Sequence, residues 1–145
     1  MKKEMQKFWV SQAVTLIRDY KCLLVKSAKS GLYGLPGGRI DLNEDKDIAL
    51  ARELQEELGI SEFEKIELVD YLVFYNLPSG IKLDQPVCAI INLISSNQAI
   101  INKDEDEHSD MIWVAESEID NYRYCWYGLD KSIKKAFLIY NQLNK

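Results

Sequence analysis

Apolar residues along this chain alternate with polar ones, run unbroken, or recur every third and fourth position, and each pattern predicts a different element. Phe8 to Ile17 and Cys22 to Lys26 read as two strands joined by a turn at Arg18 to Lys21, the arrangement of a short β-hairpin. Ile66 to Tyr75 alternates over a longer stretch, which puts Ile66, Leu68, Leu72 and Phe74 on one expected face, and Pro78-Ser79-Gly80 marks the turn after it. Val87 to Ile94 is almost wholly apolar, as a central strand covered on both faces must be. Met111 to Val114 adds a short strand. Beyond it, Leu129, Ile133, Phe137 and Tyr140 recur at helical spacing with Lys131, Lys134 and Lys135 on other faces, which predicts a C-terminal helix covering the sheet.

Between the strands, Glu44 to Leu58 has the period of an amphipathic helix. Ile48, Ala51, Leu54 and Leu58 form its expected docking side, opposite an acidic side. Glu53, Glu56 and Glu57 share an arc of about 100°, because offsets of three and four bring helical side chains together. Asn43 is the expected N-cap, with Glu44 and Asp45 near the positive end of the dipole, and Gly59 suits a left-handed C-terminal stop. The Ser27 to Gly38 segment reads as a loop, and the glycines of its Leu35-Pro36-Gly37-Gly38 end let the backbone approach a ligand or ion closely. These elements form an α/β domain, helix on mixed sheet on helix, expected as one unit over residues 1–145.

Composition narrows the function. A chain of 145 residues with 47% hydrophobic content buries one core rather than two. Its formal net charge of −5 argues against broad nucleic-acid binding, which depends on clustered lysine and arginine. No run reaches membrane-spanning length, and Val10 to Ile17, interrupted by Ser11, Gln12 and Thr15, lacks the apolar core of a signal peptide. Cys22, Cys88 and Cys125 are odd in number and contain no Cys-x-x-Cys pair, so neither a zinc site nor a disulfide framework is indicated. Cys22 and Cys88 lie in apolar runs and read as buried thiols, and a cytoplasmic protein is expected.

The acidic arc carries the chemistry. Neighbouring carboxylates on a helix repel by a few tenths of a kcal/mol per pair, and a divalent cation relieves that repulsion. Oxygen ligands of this kind suit magnesium (Mg2+) or manganese (Mn2+) rather than zinc. Glu56 and Glu57 are the expected principal ligands; Glu53 is either a third ligand or the residue that orients an attacking water. Arg52 is placed to hold a carboxylate, that of Glu44 or Glu53, by a bidentate pair. The same acids without Arg52 and the flanking glycines would read as a solvated surface helix.

Gly38, Glu44, Arg52, Glu53, Glu56, Glu57 and Gly59, with aliphatic Leu54 and Ile60, fill every defined position of G-x5-E-x7-R-E-U-x-E-E-x-G-U, where U is aliphatic. The stretch resembles the Nudix box. The likeness covers the box and its Leu35-Pro36-Gly37 lead-in, and is weaker from Glu107 to Val114. It implies a three-layer α/β/α sandwich with a central mixed β-sheet. The activity implied is hydrolysis of a nucleoside diphosphate linked to another group, by water attack on phosphorus with Mg2+ or Mn2+. It further implies the Gly38 carbonyl as a metal ligand and a general base whose place varies and can lie outside the box.

In the acidic stretch Asp104 to Asp110, Glu107 is the residue matching a further metal-binding or water-activating carboxylate of the family, against the plain reading of a solvated acidic loop. The single histidine, His108, is expected at the surface, with no role in catalysis. Trp9, Tyr33, Phe74, Tyr75, Tyr124 and Trp126 are available to stack on a base, although most are expected in the core, and Trp113 reads as structural. The expected partner is a small nucleotide, a nucleoside triphosphate or ADP-ribose-like molecule. The alternative is a Nudix-like module that senses a nucleotide or metabolite without cleaving it. Homodimerisation, through the N-terminal strands or the Ile66 to Ile94 hairpin, is an expectation from family likeness alone.

Overall fold

The computed structural model describes residues 2–145. Seven strands, two α-helices and a short 3-10 helix follow in order: β1 (Trp9–Arg18), β2 (Lys21–Ser27), β3 (Tyr33–Gly34), β4 (Gly37–Arg39), α1 (Lys46–Leu58), β5 (Glu64–Asn76), β6 (Lys82–Ser95), β7 (His108–Ala115), the 3-10 helix (Glu116–Asn121) and α2 (Leu129–Leu143). The sheet is mixed. Its main path runs β3-β2-β1-β6-β5, with β4 also on β1 and β7 also on β2. β6 lies parallel to β1 on one side and antiparallel to β5 on the other, which accounts for its continuous apolar run.

β1 changes partner along one edge. It pairs with β4 at Ser11 to Ala13 and with β2 only at Ile17 and Arg18. The β2–β3–β7 wing therefore diverges from the β4 end of β1, and the space between them holds the site described below. The β1–β2 turn carries positive φ at both Asp19 and Tyr20, as a tight two-residue hairpin turn requires.

Each face of the sheet packs on one helix. Ala13 and Ile17 of β1 join Leu24, Ile91, Leu93 and the α2 residues Leu129, Ile133, Ala136 and Phe137. Val14 and Leu16 point the other way, onto Leu50, Leu54 and Leu58 of α1. Burying each of these large side chains contributes about 1.5 to 3 kcal/mol. The expected three-layer sandwich is thus the observed fold. Cys22 is fully buried, its thiol pushed up to about 12 by burial, but Cys88 is only half-buried.

Local expectations need correction at several points. Asn43 does not cap α1: it has φ 62° in the preceding turn, and Asp45 caps instead, accepting from the backbone N–H groups of Asp47 and Ile48 at 2.9 and 3.2 Å. The helix therefore starts at Lys46 and leaves Glu44 in the turn. Gly59, at φ 70°, does end it. The docking face is Ala49, Leu50, Leu54, Glu57 and Leu58, not Ile48 and Ala51, which are exposed. Offsets of four carry the stripe from Leu50 through Leu58, whereas Ile48 lies about 200° from Leu50 around the helix.

The Ser27 to Gly38 segment contains β3 and the start of β4 rather than an unstructured loop. On β5, register shifts between Lys65 and Glu67 and between Leu68 and Asp70 turn Leu68 outward, 58% exposed, and bring in Val69. The turn at Pro78-Ser79-Gly80 is present, with Gly80 at φ 83° and its N–H donating to the Leu77 carbonyl.

Candidate active site

β4 lies so close to β1 that Gly37 has no room for a side chain. A Cβ there would stand 1.9 Å from the Gln12 carbonyl oxygen, and Gly37 has φ 151°. Beside it, a Cβ on Gly38 would fall 2.3 Å from the carboxyl carbon of Glu53. The Glu53 carboxylate thus occupies the space that any larger residue at position 38 would fill. Glu57 completes the junction, its Oε2 accepting from the Gly37 N–H at 2.9 Å.

Glu57 is 2% exposed, contrary to the expected outward-facing acidic side. Its offsets of seven from Leu50 and three from Leu54 place it on the docking face, so the acidic arc wraps from solvent into the interior. Glu56 stays at the exposed end, its side chain 57% exposed, and Glu53 lies between them.

Arg52 joins this arc to the turn before the helix. Its Nε and Nη2 donate to the two oxygens of Glu44 at 2.8 and 2.9 Å, a bidentate pair, and its Nη1 donates to Glu53 at 3.0 Å and to Glu56 at 3.4 Å. The two partners open in the sequence, Glu44 and Glu53, are both held. Hydrogen bonds from the Arg52 guanidinium and the Asp41 backbone lower the Glu44 carboxyl to about 2. Glu53 moves the other way, up to about 7, because burial and the nearby charges of Glu57 and Glu56 outweigh its bond to Arg52.

Glu107 and His108 approach Glu57 from across the cleft. The chain turns at Asp104 to His108, where the N–H groups of Glu107 and His108 both donate to the Asp104 carbonyl, and Asn102 Nδ2 donates to the His108 carbonyl at 2.9 Å. Pairing between β2 and β7 then steps from Ser27–His108 to Lys26–Asp110, a bulge at Ser109 that re-aims the strand. Donor atoms of Glu57, Glu107 and His108 all lie within 4.8 Å of one another. Burial, neighbouring Asp104 and the charge of Glu57 raise the Glu107 carboxyl.

His108 corrects the expectation of a surface residue: it is 8% exposed, with Nε2 3.3 Å from Glu57 Oε1. Burial lowers its basicity, but the surrounding carboxylates, Glu57 foremost, outweigh that and raise it. Its burial follows from the turn's hydrogen bonds, for which nothing at position 108 gives a pattern.

A cleft of about 450 Å³ opens along this edge, within the usual size of a small-molecule site. Gly37, Gly38, Glu107 and His108 border one part, Leu35, Leu77, Ile81 and Trp126 another, and Lys29 and Arg39 bring positive charge. The Arg39 guanidinium lies 3.8 Å from the Trp9 ring centroid. Of the aromatic candidates, Trp126 alone lines the cleft, backed by Phe74 with centroids 5.3 Å apart. Tyr33 and Tyr124 pack on the α2-side core, Tyr75 is exposed, and Trp113 packs on the α1-side core as expected.

A family profile described as NUDIX domain matches residues 8–136. Similar solved structures include the MutT NUDIX hydrolase from Burkholderia pseudomallei, at 21% identity and TM-score 0.71, covering 90% of this chain and 98% of that one. An Ap4A hydrolase from C. elegans reaches TM-score 0.75 at 15% identity, covering 92% and 98%. An ADP-ribose pyrophosphatase from Streptococcus suis reaches 0.66 at 18%, covering 92% of each. No curated protein matches the chain. Profile and fold define the class, a hydrolase of phosphoric anhydride bonds. The chain belongs to the Nudix family and is a Nudix pyrophosphohydrolase.

Proposed function

We propose that this enzyme hydrolyses the diphosphate linkage of a small nucleoside diphosphate derivative, a nucleoside triphosphate or an ADP-ribose-like molecule, with Mg2+ or Mn2+ as cofactor. The carrying observation is the gathering of Glu53 and Glu57 against the Gly37–Gly38 strand at the edge of the cleft. The donor set fits a hard cation: clustered carboxylates, one of them buried, whose mutual repulsion a cation removes. Glu53, Glu56, Glu57 and the Gly38 carbonyl would hold the metal. When bound, it supplies charge neutralisation at the non-bridging phosphate oxygens.

The remaining roles belong to the chain. Arg52, bound to Glu44, is a positioning residue that fixes Glu53. Glu53, where it is not a metal ligand, or Glu107 would orient the water and accept its proton, as its oxygen bonds to phosphorus and the bridging P–O bond breaks. Trp126 offers an apolar face to the base or sugar, and Lys29 and Arg39 offer charge to phosphate.

The names of structural neighbours support small nucleotides: one is an Ap4A hydrolase, another an ADP-ribose pyrophosphatase. A net charge of −5 disfavours nucleic acid as substrate. Among the described residues no helix is long and apolar enough to cross a membrane, and the free cysteines fit a reducing cytoplasm. The test is a panel of nucleoside triphosphates, ADP-ribose and dinucleoside polyphosphates, with either metal. Nucleoside monophosphate release that stops on chelation supports the proposal; an inert panel in both metals refutes it.

A further inference from the structure

Both ring nitrogens of His108 are buried and neither has a hydrogen-bond partner. The side chain is nine-tenths buried, at 10% exposure, and its nearest charged neighbour is Glu57 Oε1, 3.3 Å from Nε2 without donor–acceptor alignment. An unsatisfied buried polar group is destabilising, so its place needs a reason. Glu57 divides its oxygens: Oε2 takes the Gly37 N–H, leaving Oε1 toward the imidazole. Glu107 joins them, all donor atoms lying within 4.8 Å of one another. Two ligands of one ion lie no further apart than twice the bond length, about 4.4 Å for bonds near 2.2 Å, and His108 Nε2 and Glu57 Oε1, 3.3 Å apart, meet that limit.

We propose that His108 Nε2 is a metal ligand, which makes the centre a mixed nitrogen–oxygen site that selects Mn2+ over Mg2+. The inference rests on the functional reading above and deepens its cofactor assignment. Imidazole suits first-row transition ions, whereas Mg2+ prefers an all-oxygen shell with water. The carboxylate majority keeps the shell within what Mn2+ accepts. The turn that presents His108 is anchored by its own backbone hydrogen bonds, so the ring is held before any ion arrives.

The chain contains one histidine, which makes the assignment directly readable. Tag-free enzyme is loaded with Mn2+ and examined by pulsed EPR, with natural-abundance and with 15N-labelled histidine. Nitrogen-14 modulation that converts to the nitrogen-15 pattern on labelling supports the proposal. In His108→Gln, shown folded by circular dichroism, that modulation disappears, and the preference for Mn2+ over Mg2+ in competitive binding drops about tenfold, equal to about 1.4 kcal/mol. Bound Mn2+ with an oxygen-only spectrum, and an unchanged preference in His108→Gln, overturns the histidine ligand while leaving the metal site standing. Failure of Mn2+ to bind overturns both.

Discussion

Gly37 and Gly38 are adjacent and both exclude a side chain, for different reasons. Alanine at 37 meets the Gln12 backbone, which cannot retreat, whereas alanine at 38 meets only the end of the Glu53 side chain, which can. Gly37→Ala is therefore expected to lower thermal stability by more than about 2 kcal/mol. Gly38→Ala should melt within about 1 kcal/mol of wild type yet lose at least tenfold in kcat, because Glu53 is displaced. A pair of melting curves and steady-state assays checks this; equal stability loss in both variants contradicts it.

Arg52→Lys should fail to restore the activity lost in Arg52→Ala, since an ammonium cannot span both oxygens of Glu44 while holding Glu53. Spacing made the members of this cluster legible. Which of them is buried was not, because Glu57 joins the leucine face through tertiary packing, and His108 is placed by a turn whose hydrogen bonds no motif announces.

At the level of elements, β5 and α2 are joined by a polar clamp. Asp70 accepts from Ser132 Oγ at 2.7 Å and from Lys135 Nζ at 3.1 Å. Burial disfavours its charge, but these bonds outweigh burial and hold the carboxyl below its usual 3.8. A folded pKa below the unfolded one contributes stability above about pH 4, which is lost as pH falls through the lower, folded value. Asp70→Asn should therefore destabilise by about 1 to 3 kcal/mol at pH 7, and by less at pH 3. Calorimetric melts at the two pH values test this; a deficit as large at pH 3 means that charge plays no part.

Element type was largely readable, since the apolar run of β6 and the helical repeat of α2 are long and one-sided. The bulges of β5 were hidden because an inserted residue changes facing without changing composition, as at Leu68. Asp45 displaced Asn43 as cap because its carboxylate reaches two N–H groups, while Asn43 takes a left-handed turn position.

For the whole molecule, the proposed cation would link metal and stability. The fold places Glu57 at the junction of helix, Gly-Gly strand and β7 turn, so a cation there binds only the folded chain. At a hundredfold excess over its dissociation constant such an ion adds about 2.7 kcal/mol, about 5 to 10 °C in melting temperature for a chain of this size. Glu57→Gln should lose that rise. A metal-independent melt in the wild type would show that the acids hold no ion.

The most direct measurement of the central claim is hydrolysis of the substrate panel in oxygen-18 water with Mn2+, with mass analysis of both products and Glu57→Gln alongside. One heavy oxygen is expected on a single phosphate product, dependent on metal and absent in the variant. Turnover that persists in Glu57→Gln, or none in wild-type enzyme shown to hold Mn2+, would contradict it.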